Sequence, residues 1–247
     1  LVAILAGAVV SLWQARVAIA EKERAQEVER FVVSVFQEAD PYRQAGRPLT
    51  AAELLRHAQS DIGERFGNRS PLRISLLGLV GTGLMNLDEL PAAESSVQQA
   101  VADAMLLYGQ EHIETLRARV LLAEVHPAQR NNAALRAELA QLLPAAREVV
   151  AQEPELLIRV LKAQTDLAIE ESRYHEGEAP VREAFELAKR TLGPRHPTTV
   201  AASTLLAEAV MFAGAPPEAT MAEAQRGLDF ALAAYDGRED NPRVIQM

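Results

Sequence analysis

Leu192-Gly193-Pro194-Arg195-His196-Pro197-Thr198-Thr199-Val200 opens the segment on which the fold assignment turns. A glycine turn and a proline near a helix start lead into a polar-apolar run through Leu205, Leu206, Val210 and Met211, closed by Gly214. These are start and stop signals of an amphipathic helix of about four turns, one half of a helical hairpin. The pattern stands upstream as Tyr108-Gly109-Gln110-Glu111-His112-Ile113-Glu114-Thr115-Leu116, where Gly109 precedes Gly193 by 84 residues. Phe66-Gly67 lies 42 residues before Gly109, and Tyr235-Asp236-Gly237 ends 44 after Gly193. The period is about 42, and a fixed period between roughly 20 and 50 implies stacked hairpins, a solenoid rather than a closed globule.

Laid on that grid, Gly81, Ala123, Thr165 and Ala207 share a line of small residues, preceded by Val80, Leu122, Gln164 and Leu206. In the second helices Ala100 aligns with Ala184, and Ala93 with Gly177; small residues two turns apart let helices approach closely. The third unit fits worst, at Gln164 and Leu142, and a local shift is expected there. Helices are predicted in pairs: 71–86 with 91–108, 112–125 with 133–151, 155–172 with 177–192, and 197–213 with 218–235. Thr50 and Glu53 form a capping-box pattern ahead of them, with Leu49 and Leu54 placed as its hydrophobic staple. No stretch alternates as a strand would.

The chain has 247 residues, enough for one or two ordinary domains or about five repeat units. Aromatics are only 4%, as suits helices packed through Ala and Leu, and a net charge of −9 excludes broad attraction to nucleic acid. Without cysteine there are no disulfides, no thiolate metal ligands and no thiol catalysis, while the compartment stays open. The first residue is not Met and the last are Ile245-Gln246-Met247, where another helix would be starting, so a fragment of a longer protein is expected.

Residues 1–12 are apolar apart from Ser11 and end at Trp13. A membrane span needs about 20 such residues, so 1–13 reads as the end of a truncated span with Trp13 at the interface. A secretory signal remnant ending at Ala18-Ile19-Ala20 and a buried helix are the alternatives; Arg16 argues against cleavage. Residues 14–48 read as a juxtamembrane helix and linker. Charge is dense from Glu21 to Arg30, and Val28, Phe31, Val32, Val35 and Phe36 lie at helical spacing, an apolar face that must dock on something. Residues 49–247 are the repeat array, truncated at its C-terminal end.

The small-residue line and the Gly-x-x-His-Pro turn resemble the tetratricopeptide repeat family over roughly residues 50–247, in the kinesin-light-chain variety rather than the form of about 34 residues. That resemblance implies an all-α, right-handed superhelical solenoid of antiparallel helix pairs with a concave ligand groove. The variety usually carries an Asn pair in the first helix; here Thr204-Leu205 and Val120-Leu121 stand instead, so a ligand mode built on those amides is not expected. A second resemblance concerns Val35-Phe36-Gln37-Glu38-Ala39-Asp40-Pro41 and Leu49-Thr50-Ala51-Ala52-Glu53-Leu54-Leu55 after an apolar span. This is similar to the segment following the catalytic domain of bacterial membrane-anchored Ser/Thr protein kinases. It implies a kinase before Leu1, repeats on the extracytoplasmic side (periplasm or cell surface), and membrane attachment through the N-terminal segment.

No active site is expected in these residues, which contain no kinase motifs. Gly78, Gly81 and Gly83 have the wrong spacing for a phosphate loop and read as helix packing. His112 and His196 belong to the recurring turn, and no metal or cofactor is expected. One constellation is a ligand-groove candidate. The line after the small residue reads Thr82, Glu124, Asp166 and Glu208, an acidic stripe if the resemblance places it in the groove. Seven residues earlier stand Ser75, Arg117, Arg159 and Ala201, the arginines offering a site for a ligand carboxylate. The competing reading is a solvated face with local pairs such as Lys162–Asp166. The expected function is a non-catalytic scaffold for a protein or peptide ligand, a basic one if the stripe is exposed. The alternatives are a spacer or dimerisation arm of an enzyme whose catalytic domain lies elsewhere, which a homodimer would suit, and a secreted repeat protein.

Overall fold

The computed structural model describes residues 26, 28–31, 33–35, 49–67, 70–125, 132–214 and 216–234. Among the described residues the secondary structure is helical, with no strand. After a helical segment at 28–31 and 33–35 come α1 (Ala51–Arg65), α2 (Pro71–Asn86), α3 (Leu90–Tyr108), α4 (Ile113–Val125), α5 (Asn132–Glu148), α6 (Pro154–Glu170), α7 (Tyr174–Thr191), α8 (Pro197–Phe212) and α9 (Pro217–Ala234). These match the predicted pairs to within a few residues. Residues 1–13, read as the end of a membrane span, lie outside the described ones, as does most of the linker before Leu49. No described helix is long and apolar enough to cross a membrane. The chain divides into two compact units, residues 1–103 and 104–247.

In the first unit the capping box forms as its residues dictate. Thr50 Oγ1 accepts from the Glu53 amide at 3.2 Å, and Glu53 Oε2 accepts from the Thr50 amide at 2.9 Å. Of the apolar face expected before it, Phe31 is buried, edge-on to Phe66 with ring centres 6.2 Å apart, and Arg65 donates to Ser34 Oγ at 3.0 Å, while Val32 and Phe36 lie outside the described residues. Arg73 is buried too. Its Nε donates to Asp103 at 2.6 Å, and Nη1 reaches the Gly63 and Phe66 carbonyls at 3.2 and 3.1 Å, closing the C-terminal end of α1. Gly81 lets α2 and α3 touch: a Cβ there would stand 2.4 Å from Val97 Cγ2.

The second unit repeats one turn twice. Gly109 and Gly193 have φ of +87° and +88°, a region that disfavours any Cβ. Thr115 Oγ1 donates back to the Gly109 carbonyl at 2.7 Å, and Thr199 Oγ1 to that of Gly193 at 2.8 Å. Each histidine holds the helix start through Nδ1, His112 accepting from the Glu114 amide at 3.2 Å and His196 from that of Thr198 at 3.3 Å. Pro154 occupies the matching place and is itself the first residue of α6, so that helix opens one residue early, on Glu153, without a side-chain cap. At Gln164 and Leu142, the places of the expected local shift, the register holds: Leu142 is buried and the neighbouring Thr165 keeps its place against the second helix.

Leu135, Leu142, Ile158 and Leu161 are fully buried between α5 and α6, and Leu116 of α4 packs into the same core. Thr165 sits where the other units carry Gly or Ala and needs Gly177 opposite: its Oγ1 donates to the Gly177 carbonyl at 3.0 Å. A Cβ on Gly177 would meet Thr165 Cγ2 at 3.3 Å.

Candidate functional site

The groove candidates of the second unit lie on α4, α6 and α8, the first helices of successive hairpins. Clefts of about 580 and 460 Å³ run along them and share Lys162, Asp166, Leu205 and Glu208. The larger is completed by Pro197, Val200, Ala201 and Thr204 of α8, the smaller by Glu124, Arg159, Ala163, Ile169 and Glu170. The acidic line therefore does border a cavity, and its neighbours three and four positions earlier, Ala163 and Leu205, Lys162 and Thr204, form the rest of the wall. Those neighbours were legible as lines on the repeat grid but carry no charge pattern of their own to single them out.

The candidates divide sharply. Glu124 and Arg159 form a bidentate pair between α4 and α6, at 2.8 and 2.7 Å, both half-buried. Burial works against the charge on Arg159, but the bonds and field of Glu124 outweigh it and hold the guanidinium above its ordinary range. Arg117 is likewise engaged, by Glu114 at 2.6 Å and by Glu153. Both arginines expected to receive a ligand carboxylate thus already hold carboxylates of the chain. Thr82 belongs to the first unit and its Oγ1 donates to the Gly78 carbonyl of its own helix at 2.9 Å.

Asp166 and Glu208 make no such bond. Burial first, then the nearby Glu208, Glu170 and Glu124, push Asp166 up to about 6 against the pull of Lys162. Four carboxylates and two cations line the smaller cleft, with one of each joined in the Glu124–Arg159 pair. A groove wall of this kind can hold an extended chain: apolar patches for side-chain stems and a negative end for a positive group. His175, Glu176 and Glu178 lie beyond the groove, the two glutamates in ion pairs with Arg173 and Arg182. Among the described residues no group of His, Asp and Glu is arranged to hold a metal.

No protein-family model matches the chain, and no curated protein matches it. Solved structures do. A single-substitution variant of a kinesin light chain-type protein from Podosopora anserina, with nearly identical TPR-like repeats, superposes with a TM-score of 0.60 at 17% identity, covering 83% of this chain and 96% of that one. The Podosopora anserina protein without that substitution gives 0.55 at 18% identity, covering 85% and 97%. BtubC (BKLC) of P. vanneervenii gives 0.63 at 15% identity, covering 87% and 83%. The fold is tetratricopeptide-type, all-α. Identities this low speak to fold alone.

Proposed function

We propose that the chain is a non-catalytic interaction scaffold whose second unit takes a segment of a protein partner along α4, α6 and α8. The observation that carries this is the pair of clefts sharing Lys162, Asp166, Leu205 and Glu208, a wall with apolar and charged residues side by side. The tetratricopeptide-type fold supports the reading, since stacked hairpins leave extended surfaces suited to peptides. The finer part of the proposal is that the scaffold is the sensor or docking region of a membrane-anchored bacterial Ser/Thr kinase. It is supported by the sequence similarity at 35–41 and 49–55, and it puts the repeats outside the cytoplasm and the anchor at 1–13.

A photo-crosslinking residue at Thr204, in the cleft, tests the scaffold against one at exposed Glu186 on α7. A partner captured from Thr204 and not from Glu186 is expected in the source cells. Equal capture from both, or capture only of a second copy of the chain, would replace the scaffold with a spacer or a dimerisation arm. A kinase signature upstream of Leu1 in the gene is the outcome expected of the finer reading.

A further inference from the structure

We propose that the α6–α8 end of the groove is a seat for one cationic side chain, lysine or arginine, of the partner segment; this rests on the scaffold reading above. The chemistry of the cleft selects that class. Pro197, Val200, Ala201 and Leu205 give an apolar wall for a methylene stem, and Asp166 and Glu208 stand at the same cleft for its charged head. At the other end Glu124 is already neutralised by Arg159, so a positive charge gains little there. An anionic group is disfavoured here, because Glu208, Glu170 and Glu124 already push the Asp166 carboxyl up, against the pull of Lys162 on it. A cation between Asp166 and Glu208 relieves both the burial and the like-charge repulsion.

The seat carries a proton signature. Lys162 and Glu170 face Asp166 from its own helix, Glu208 from α8 and Glu124 from α4. α5 and α7 pack on α6 through the uncharged Leu139, Gly177 and Ala184; their charged groups beside α6, Arg136 and Glu176, line a separate cleft with Gln164, Leu167 and Ala168 and are engaged by Glu171 and Arg173. Asp166 is held up near 6, so a bound cation drives off its proton and binding strengthens as pH rises through that value.

The whole chain, labelled for amide NMR, is titrated with N-acetyl-arginine-amide and, separately, with N-acetyl-citrulline-amide, which has the same shape and no charge. The arginine probe should give saturable shifts at residues 162–170 and 201–208, the citrulline probe none. Affinity should rise severalfold from about pH 5 to about pH 7.5, and Asp166→Asn should flatten that rise. Glu208→Gln, at an exposed position, should weaken binding severalfold with helical content unchanged. Equal shifts from both probes, or no saturable shift in the cleft up to probe solubility, would overturn the seat. With Thr204 cross-linking intact, that failure discards the cationic seat alone; with cross-linking also lost, the groove itself is discarded.

Discussion

At the α4 end of the groove a glutamate meets an arginine from the next hairpin; at the α8 end an aspartate faces a glutamate. Glu124 and Asp166 are equivalent on the repeat, so the difference comes from what lies 35 residues further on, Arg159 for Glu124 and Ala201 for Asp166. Where the arginine is present, the two side chains close a bidentate bond and the acid becomes part of the scaffold. Where it is absent, Asp166 has Lys162 of its own helix set against burial and three neighbouring carboxylates, and its carboxyl is pushed up. Equivalent positions in a repeat thus come to differ in electrostatic surroundings through one partner substitution, not through the acid itself.

Cutting the ion pair has the largest expected effect. Glu124→Ala leaves the half-buried Arg159 without its partner and should cost about 2 kcal/mol in urea unfolding. Replacing both by leucine should recover most of that loss, since no charge is then left stranded. A Glu124→Ala variant as stable as wild type would mean the two ends do not differ in role.

The converse change makes the α8 end like the α4 end. Ala201→Arg places a guanidinium where Arg159 stands relative to Glu124, and it should draw the Asp166 carboxyl down toward its ordinary range. The sign follows from proton counts. Asp166 is raised from 3.8 to about 6, so the folded state holds more protons between those values and wild-type stability falls as pH rises through them. Ala201→Arg should therefore be more stable by about 1 kcal/mol at pH 8, allowing for partial solvent screening, with the gain gone below roughly pH 4. Thermal melts across that range check it. A gain independent of pH would assign the effect to something other than Asp166.

The smallest effect serves as a control that touches neither charge set. Asp88, Ser172 and Gly214 fall at equivalent turns, with φ of 61°, 58° and 74°. The amides of Glu89 and Arg173 close the first two of those turns onto Leu84 and Ala168 at 2.9 and 2.8 Å. Ser172→Gly removes the left-handed strain of a Cβ and should stabilise by about 0.5 kcal/mol at every pH, measured by melting temperature, with no change in probe binding. A pH-dependent gain would show that the α6–α7 turn is coupled to the groove.

These cases also mark how far the sequence was readable. The turns at Gly109 and Gly193 could be read because glycine, proline and threonine announce a local backbone geometry. The equivalent turns at Asp88 and Ser172 could not, because neither residue signals a left-handed φ and only the repeat grid points to them. His112 and His196 were assigned to the turn correctly, but their capping bonds through Nδ1 needed coordinates. Among the groove candidates, Glu124, Asp166 and Glu208 do line the clefts, while the roles of Arg117 and Arg159 depended on partners that residue type alone does not name.

Everything local or periodic is written in the order of residues: the helices, their caps, the hairpin pairing, and which positions share a line from one repeat to the next. Helix propensity, capping and amphipathic spacing act over a few residues, so a few residues suffice to encode them. Which residue stands opposite each of the aligned acids was visible only in the packing. Packing of neighbouring helices brings residue 124 to residue 159 and leaves 166 at a cleft where Ala201 stands in the equivalent place. Coulomb energy falls steeply with separation and with access of water, so a difference of one side chain at that contact separates a structural ion pair from an open acidic seat.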